Sequence, residues 1–175
     1  MRAWFDEAFL RPGIIVADDI VAGCHCMTPG YIEHELAASL SNLGLDKIDL
    51  YYLHNPEHQL EEIDRAEFEK RTRLAFETLE KAADAGKIRF YGTATWNGYR
   101  ADASSRGYLD LARLWEIALD VGGDGHRFRA IQAPFNAAMT EISTKPNQRD
   151  GRSTLAVARE VGIVLERVRK IQRKF

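Results

Sequence analysis

His54 is a candidate catalytic residue because of its position in the sequence. It directly follows the apolar run at residues 48–53 and precedes Asn55 and Pro56. The run is too short for an independent helix and has the residue types of a buried strand. Proline ends the strand because it has no amide hydrogen to donate. The imidazole is therefore predicted at the carboxyl end of a buried strand, where parallel α/β proteins carry out their chemistry. A histidine that only hydrogen-bonds a loop carbonyl stays open as the alternative.

Three residues of metal-binding type, Cys24, His25 and Cys26, come earlier in the chain. A structural zinc site needs four such ligands, and the sequence has no CxxC or HxxH pair to complete a set. Along a strand, alternation would place both thiols on one face and the imidazole on the other. We therefore predict no metal site here and interpret the two cysteines as small buried thiols.

Strands and helices are predicted to alternate along the chain, which favours a parallel sheet with helical crossovers. Thr28 and Gly44 mark the start and the end of one helix, and Asp64 with Glu67 forms the capping box of the next. The predicted helices cover residues 5–10, 28–43, 64–85, 108–121 and 153–161, and the predicted strands cover residues 48–53, 87–95, 128–136 and 163–165.

The same pattern assigns an environment to several polar segments. Residues 57–63 are interpreted as a polar loop in which His58 faces solvent, and Gln132 and Asn136 lie toward the carboxyl end of the third strand. Residues 166–175 are basic and are expected to be helical or frayed. The buried stripe of the helix at 108–121 is expected to consist of Leu111, Trp115, Ala118 and Leu119.

Composition excludes several classes of protein. The chain has 175 residues, a net charge of -2 and a pI near 6.2, so it lacks the basic footprint of a nucleic-acid-binding protein. No apolar run approaches the roughly 20 residues that cross a bilayer, and the acidic, polar N-terminus is unlike a signal peptide. We expect one cytoplasmic domain over residues 1–175, without nucleic-acid or membrane partners.

The strand around His54 resembles the aldo-keto reductases, for which the pattern LG-D-ID-LY-LH-P is typical. Here the pattern reads Leu43-Gly44, Asp46, Ile48-Asp49-Leu50-Tyr51, Leu53-His54 and Pro56. Later segments are similar to the same family in the same order, namely Ala85-Gly86-Lys87-Ile88-Arg89 with Gly92, then Ile131-Gln132 with Asn136. The resemblance covers about residues 28–162 and leaves 163–175 as a divergent basic tail. It implies a partial (β/α)8 TIM barrel, since a complete one usually needs about 250 residues.

The resemblance also implies an oxidoreductase that reduces an aldehyde or ketone with NADPH. His54 would then be the catalytic histidine, which orients and polarises the carbonyl group of a small-molecule substrate. Gln132 would bond the nicotinamide carboxamide, and Thr95 and Asn136 are the further cofactor-binding candidates. The family usually has Ser-Asn where this sequence has Ala94-Thr95, so Thr95 offers one hydroxyl at that edge.

In the aldo-keto reductases, the other catalytic residues are a tyrosine, a lysine and an aspartate. The resemblance implies that they belong to strands that come before the segment matched by this chain. Without a positioned proton donor, carbonyl reduction loses a factor on the order of 10² to 10⁴ in rate. We therefore expect an NADP-dependent aldo-keto reductase-like fragment that is inactive alone. The alternative is a non-catalytic α/β half-barrel with a packing or assembly role. In either case, open sheet edges favour self-association.

Overall fold

The computed structural model describes residues 6–168 of the chain. These residues form a four-stranded sheet whose strands lie side by side in chain order, and each neighbouring pair is parallel. The strands are β1 (Ile48–His54), β2 (Ile88–Ala94), β3 (Phe128–Pro134) and β4 (Val164–Val168). The prediction of parallel strands that alternate with helices is therefore confirmed.

Within residues 6–168, five α-helices precede or connect these strands. They are α1 (Pro29–Leu43), α2 (Arg65–Asp84), α3 (Leu111–Gly122), α4 (Glu141–Thr144) and α5 (Thr154–Glu160). Short 3-10 helices cover Ala17–Asp19, Pro56–Glu61, Gly123–Gly125 and Arg149–Gly151, and Asp6–Leu10 forms a single π-helical turn. In this part of the chain, no helix combines the length and the apolar character needed to cross a membrane.

The main core lies between the helices and one face of the sheet. Phe76 of α2 stacks on Phe128 of β3 with ring centroids 5.1 Å apart, and it lies at the same distance from Tyr91 of β2. All three side chains are completely buried. Each such aromatic side chain removes roughly 150–250 Å² from water, so this cluster fixes α2 across the middle of the sheet.

Local chemistry sets several helix ends as predicted. Gly44, at φ 64, ends α1 in the left-handed conformation that suits glycine, and the Asp64 carboxylate accepts a hydrogen bond from the Glu67 amide at the start of α2. The Glu67 carboxylate bonds two basic side chains of α2, so this bond is the one half of the predicted capping box that the structure shows. Thr28 occupies the predicted N-cap of α1 without making a side-chain cap bond, because its hydroxyl bonds the Cys26 thiol instead.

The segment predicted to be a polar loop at residues 57–63 instead contains the 3-10 helix Pro56–Glu61. Its Glu57 and Gln59 side chains are buried, and His58 is half-buried rather than in solvent. Buried polar groups need hydrogen-bond partners, and here the partners come from other segments of the chain. Composition within the segment therefore gave no sign of its burial.

The buried stripe of α3 is rotated relative to the prediction. Trp115 and Leu119 are half-exposed, and Leu114 and Ile117 are buried in their place. The helix packs against both α2 and α5, so its buried arc follows two neighbours, whereas the prediction assumed a single stripe.

The prediction of two buried thiols holds for Cys26 alone, because Cys24 is exposed. An antiparallel bridge between Val21 and His25 closes a tight turn around Cys24. Strand alternation, on which the prediction depended, does not apply inside such a turn.

The predicted basic tail begins later than expected. Glu166 and Arg167 continue β4, because β3 provides hydrogen-bonding partners for them. Residues 169–175 of that tail, and Phe5 of the first predicted helix, lie outside the described residues.

The face of the sheet that points away from the helices, which we call the open face, carries a cavity of about 450 Å³. Apolar side chains of Leu50, Phe90 and Val164 line it. Gly92 pairs with Tyr52 on one side and Ala130 on the other, and a Cβ atom there would overlap the carbonyl oxygen of Ala130 and lie 2.9 Å from Cε1 of Tyr52. The tyrosine ring therefore crosses the sheet directly above a residue that has no side chain.

This geometry predicts that Gly92→Ala is destabilising, because the added methyl group meets backbone as well as the tyrosine ring. We expect a loss of about 1–3 kcal/mol or more in the free energy of unfolding, measured by urea denaturation. Gly125→Ala is the matched control, since a Cβ there meets nothing within 4 Å, and it should stay within about 0.5 kcal/mol of wild type. Equal stability of the two variants would contradict the account.

Candidate functional site

The carboxyl ends of the four strands bring one residue each into a single row. His54 pairs with Ala94, Ala94 pairs with Gln132, and Gln132 pairs with Glu166. Partners in a parallel ladder point to the same face of a sheet, so the three polar side chains of this row share the open face. With neighbouring strands about 4.8 Å apart, His54 and Gln132 are separated by roughly 10 Å across the row.

Glu166 ties the row to the opposite edge strand. Its Oε2 accepts a hydrogen bond of 2.7 Å from the Tyr52 hydroxyl and one of 3.0 Å from Nε2 of Gln132. Burial, together with this carboxylate, raises the pKa of Tyr52 well above its ordinary value, so the phenol keeps its proton and remains the donor. A bond from β1 to β4 thus spans the whole open face.

A chain of oriented hydrogen bonds holds the backbone of His54. Arg71 donates from Nη1 to Oε1 of Gln59 at 2.8 Å, which turns the Gln59 Nε2 group toward Nδ1 of His25, also at 2.8 Å. The His25 ring then donates from Nε2 to the carbonyl oxygen of His54 at 2.9 Å. Because arginine can only donate, the Gln59 amide must turn its oxygen to Arg71 and its –NH2 group to His25. His25 is therefore the tautomer that accepts at Nδ1 and carries its proton on Nε2.

The neutral form of His25 suits both of its bonds. Burial lowers the pKa of this imidazole below its ordinary value, which keeps Nδ1 free to accept. The His58 ring lies against it, with centroids 5.7 Å apart. His25 therefore supports the end of β1 as an uncharged group and carries no charge to the site.

The chain turns sharply after His54. Asn55 has φ 48, a left-handed conformation that asparagine tolerates better than most residues, and its amide donates to the Ala94 carbonyl at 2.6 Å. Its side-chain Oδ1 is buried without a hydrogen-bond partner among residues 6–168. This turn ends β1 and leaves the His54 side chain exposed at the mouth of the sheet.

A second buried contact joins the loops that follow β1 and β2. The Thr95 hydroxyl donates to Oε1 of Glu57 and accepts from the amide of Gly98 at 2.8 Å. Both side chains are buried. Burial raises the pKa of Glu57, although the hydrogen bond from Thr95 acts in the opposite direction.

The four predicted site residues are therefore placed differently. His54 and Gln132 lie in one row on the open face. Thr95 has its hydroxyl turned inward to Glu57, and Asn136 is exposed in a turn where its Oδ1 accepts from the Ala138 amide at 2.9 Å. Among the described residues, no group of three or more His, Cys, Asp and Glu side chains could hold a metal ion.

Sequence reasoning missed Tyr52 and Glu166 as site residues. Tyr52 stands two positions before His54, and strand alternation alone would have placed both on one face. Glu166 was assigned to the tail because the residues after it are basic. Extending the fourth predicted strand by one residue would have brought this carboxylate into the row.

Comparison with known proteins identifies the family of the chain. Residues 13–112 match the family model of the aldo/keto reductase family. The chain belongs to this family. A Schizosaccharomyces pombe protein, aldo-keto reductase yakc (NADP(+)), is 42% identical over 66 residues. That match covers 37% of this chain and 16% of the relative.

Solved structures support the same fold for this aldo/keto reductase chain. An aldo/keto reductase from Brucella melitensis superposes with a TM-score of 0.50 at 15% identity, over 83% of this chain and 43% of that one. An aldo-keto reductase from Bacillus halodurans gives 0.49 at 17% identity, over 80% and 35%. The superposition on the B. melitensis structure thus assigns the four strands and their helices to part of the (β/α)8 barrel fold. The chain spans less than half the length of these relatives.

The hydrogen-bond chain behind His54 predicts a large cost for Gln59→Leu. The variant leaves Arg71 and Nδ1 of His25 without their buried amide partner, and a buried polar group without a partner costs about 1–3 kcal/mol. Urea denaturation should show this loss, whereas Asn42→Leu, at an exposed position on α1, should change the free energy of unfolding by less than about 0.5 kcal/mol. If Gln59→Leu leaves the free energy of unfolding unchanged, the series of hydrogen bonds from Arg71 to His54 is not formed.

The buried Glu57 carboxyl predicts a pH dependence of stability. Its pKa is higher in the folded chain than in the unfolded chain, so its contribution to stability is complete below the unfolded value near 4.5 and is lost as the pH rises through the folded value. Relative to Glu57→Gln, wild type should lose free energy of unfolding as the pH rises from 4.5. Glu33→Gln, at an exposed position, should follow the wild-type curve. Parallel curves for wild type and Glu57→Gln would contradict the assignment.

Proposed function

We propose that this chain forms part of the active site of an NADP-dependent aldo-keto reductase that reduces the carbonyl group of a small molecule. The row that joins His54 and Gln132 on the open face carries the proposal, together with membership of the aldo/keto reductase family. The name of the S. pombe relative includes NADP(+), which supports this cofactor. The mouth of parallel barrel strands is also where such folds carry out their chemistry.

The residues of the row fit the nicotinamide end of the cofactor. Gln132 is half-exposed, and its Nε2 group faces Glu166, so its Oε1 is turned away and can accept a hydrogen bond from a carboxamide. The Glu166 carboxylate favours a ring that becomes positively charged on oxidation. The exposed His54 imidazole lies in the same row. The distance of roughly 10 Å between His54 and Gln132 leaves room between them for a nicotinamide ring and a substrate carbonyl group.

Each residue then has a distinct task in the proposed reaction. NADPH supplies the hydride when it is bound. His54 donates a hydrogen bond to the substrate carbonyl oxygen, which orients the group and draws electron density from its carbon. Gln132 holds the carboxamide and so sets which face of the ring is presented. Thr95 and Asn136 remain cofactor-binding candidates; of the two, Asn136 is exposed, whereas the Thr95 hydroxyl bonds the buried Glu57 carboxyl.

The isolated chain is proposed to be inactive. Barrel enzymes draw their catalytic residues from the ends of several different strands, and this chain covers 43% of the B. melitensis structure. His54 polarises the carbonyl group, but reduction also needs a proton donor for its oxygen. Other strands of a barrel would supply that donor.

A packing or assembly role is the second candidate. In the described sheet, β1 and β4 each pair on one side, and the cavity of about 450 Å³ on the open face is lined mainly by apolar side chains. Val164 in this cavity is 64% exposed. Such a face and two open edges favour association with further strands, and light scattering on the dilute chain should then report a species larger than a monomer.

Titration of the chain with NADPH, followed by the cofactor's fluorescence, tests the proposed function. We expect saturable binding with a Kd on the order of 1 mM, or about −4 kcal/mol, because the chain offers only part of a cofactor site. Gln132→Ala should weaken binding about fivefold through the lost hydrogen bond. Asn42→Ala removes an exposed amide far from the row and should leave the affinity unchanged. Failure of wild type to bind at millimolar NADPH would contradict the proposal.

A further inference from the structure

We propose that Glu166, held by Tyr52, is a positioning residue that fixes the direction of the Gln132 amide and so makes the site select ligands that donate an N–H group. The inference rests on the proposed nicotinamide site and adds what determines its selectivity. Within this row, the family resemblance pointed to His54 and Gln132. The carboxylate and the phenol enter from the structure.

The chemistry of a carboxylate fixes the amide. A carboxylate can only accept hydrogen bonds, so the group of Gln132 that faces it at 3.0 Å must be the Nε2 donor. Oε1 then points in the other direction as an acceptor. An isolated glutamine could turn its amide by 180° at little cost, and it would accept donors and acceptors equally.

Tyr52 holds the carboxylate where it can do this. Its hydroxyl donates to the same Oε2 atom at 2.7 Å, and it reaches β4 from β1 because Gly92 leaves room for its ring. Ala130, the partner of Gly92 on β3, is also small. The Glu166 side chain is therefore restrained from the opposite edge of the sheet, although it is itself exposed.

The consequence is a preference between two cofactors of nearly equal size. Reduced nicotinamide carries a carboxamide, whose N–H can donate to Oε1 of Gln132. In the 3-acetylpyridine analogue a methyl group replaces that amine, so the bond is lost and the glutamine oxygen is left unpaired. A site that bonds an N–H group binds an analogue that lacks this group less tightly, because its own acceptor is left unpaired.

The first experiment needs no ligand. In the ¹⁵N-labelled chain, the side-chain amide of Gln132 should show a hydrogen-bonded proton with slowed exchange. Glu166→Gln should weaken this protection, because glutamine at this position can present its amide –NH2 group to Gln132 as well as its oxygen. Tyr52→Phe keeps the ring and should weaken the protection. Glu33→Gln, on the exposed side of α1, should change nothing, and an unaltered Gln132 signal in Glu166→Gln would overturn the proposal.

The second experiment compares the binding of NADPH with that of its 3-acetylpyridine analogue by fluorescence titration. Wild type should bind NADPH roughly tenfold more tightly, and Glu166→Gln and Tyr52→Phe should each reduce that ratio toward one. An unchanged ratio in both variants would overturn the selective role of Glu166. If wild type binds neither compound, the proposed function fails, whereas the amide measurement still decides whether Glu166 orients Gln132.

Discussion

The parallel pairing of the four strands, with the register that they have at their carboxyl ends, is the constraint on which the site depends. Side chains alternate along a strand, so a slip of one residue in any pair would turn that strand's side chains to the other face. Between Tyr91 and Gly92 the pairing of β2 with β3 shifts by one residue, and this shift determines which side chains of β3 point to which face. Before it, Tyr91 packs with Phe128 in the helical core. After it, Gly92 lies opposite Ala130 on the open face. The same register continues to the row that contains Gln132 and Glu166.

Two kinds of polar contact act around this sheet. Behind β1, the bonds from Arg71 through Gln59 to His25 are directional and partly buried, and the last of them holds the backbone carbonyl of His54. On the open face, Tyr52 and the exposed Glu166 hold the Gln132 amide in one direction. The first set of bonds supports the end of β1, and we propose that the second set determines which ligand groups the open face accepts.

Local features of the sequence predicted much of the fold. Gly44, Asp64 and the apolar run before His54 act on residues a few positions away, and the helix ends and the strand that they predict are present. The strand is less buried than predicted, because β1 pairs on one side of the described sheet and only Leu53 of its residues is buried. Burial of Glu57 and the role of Glu166 could not be predicted in this way. Their partners, Thr95 and Tyr52, lie 38 and 114 positions distant. A polar residue becomes a core or site residue only when the fold brings it a partner.

The most direct test of this account is the contact between Tyr52 and Gly92 in solution. The ring atom Cε1 lies 2.9 Å from the position that a Cβ of Gly92 would take, so a nuclear Overhauser effect should join the tyrosine ring protons to the glycine Hα protons. We predict a strong cross-peak between them. Cross-peaks from the Tyr52 ring to Phe76 and Tyr91 instead would place the ring on the helical face, and the shared row of His54, Gln132 and Glu166 would then be wrong.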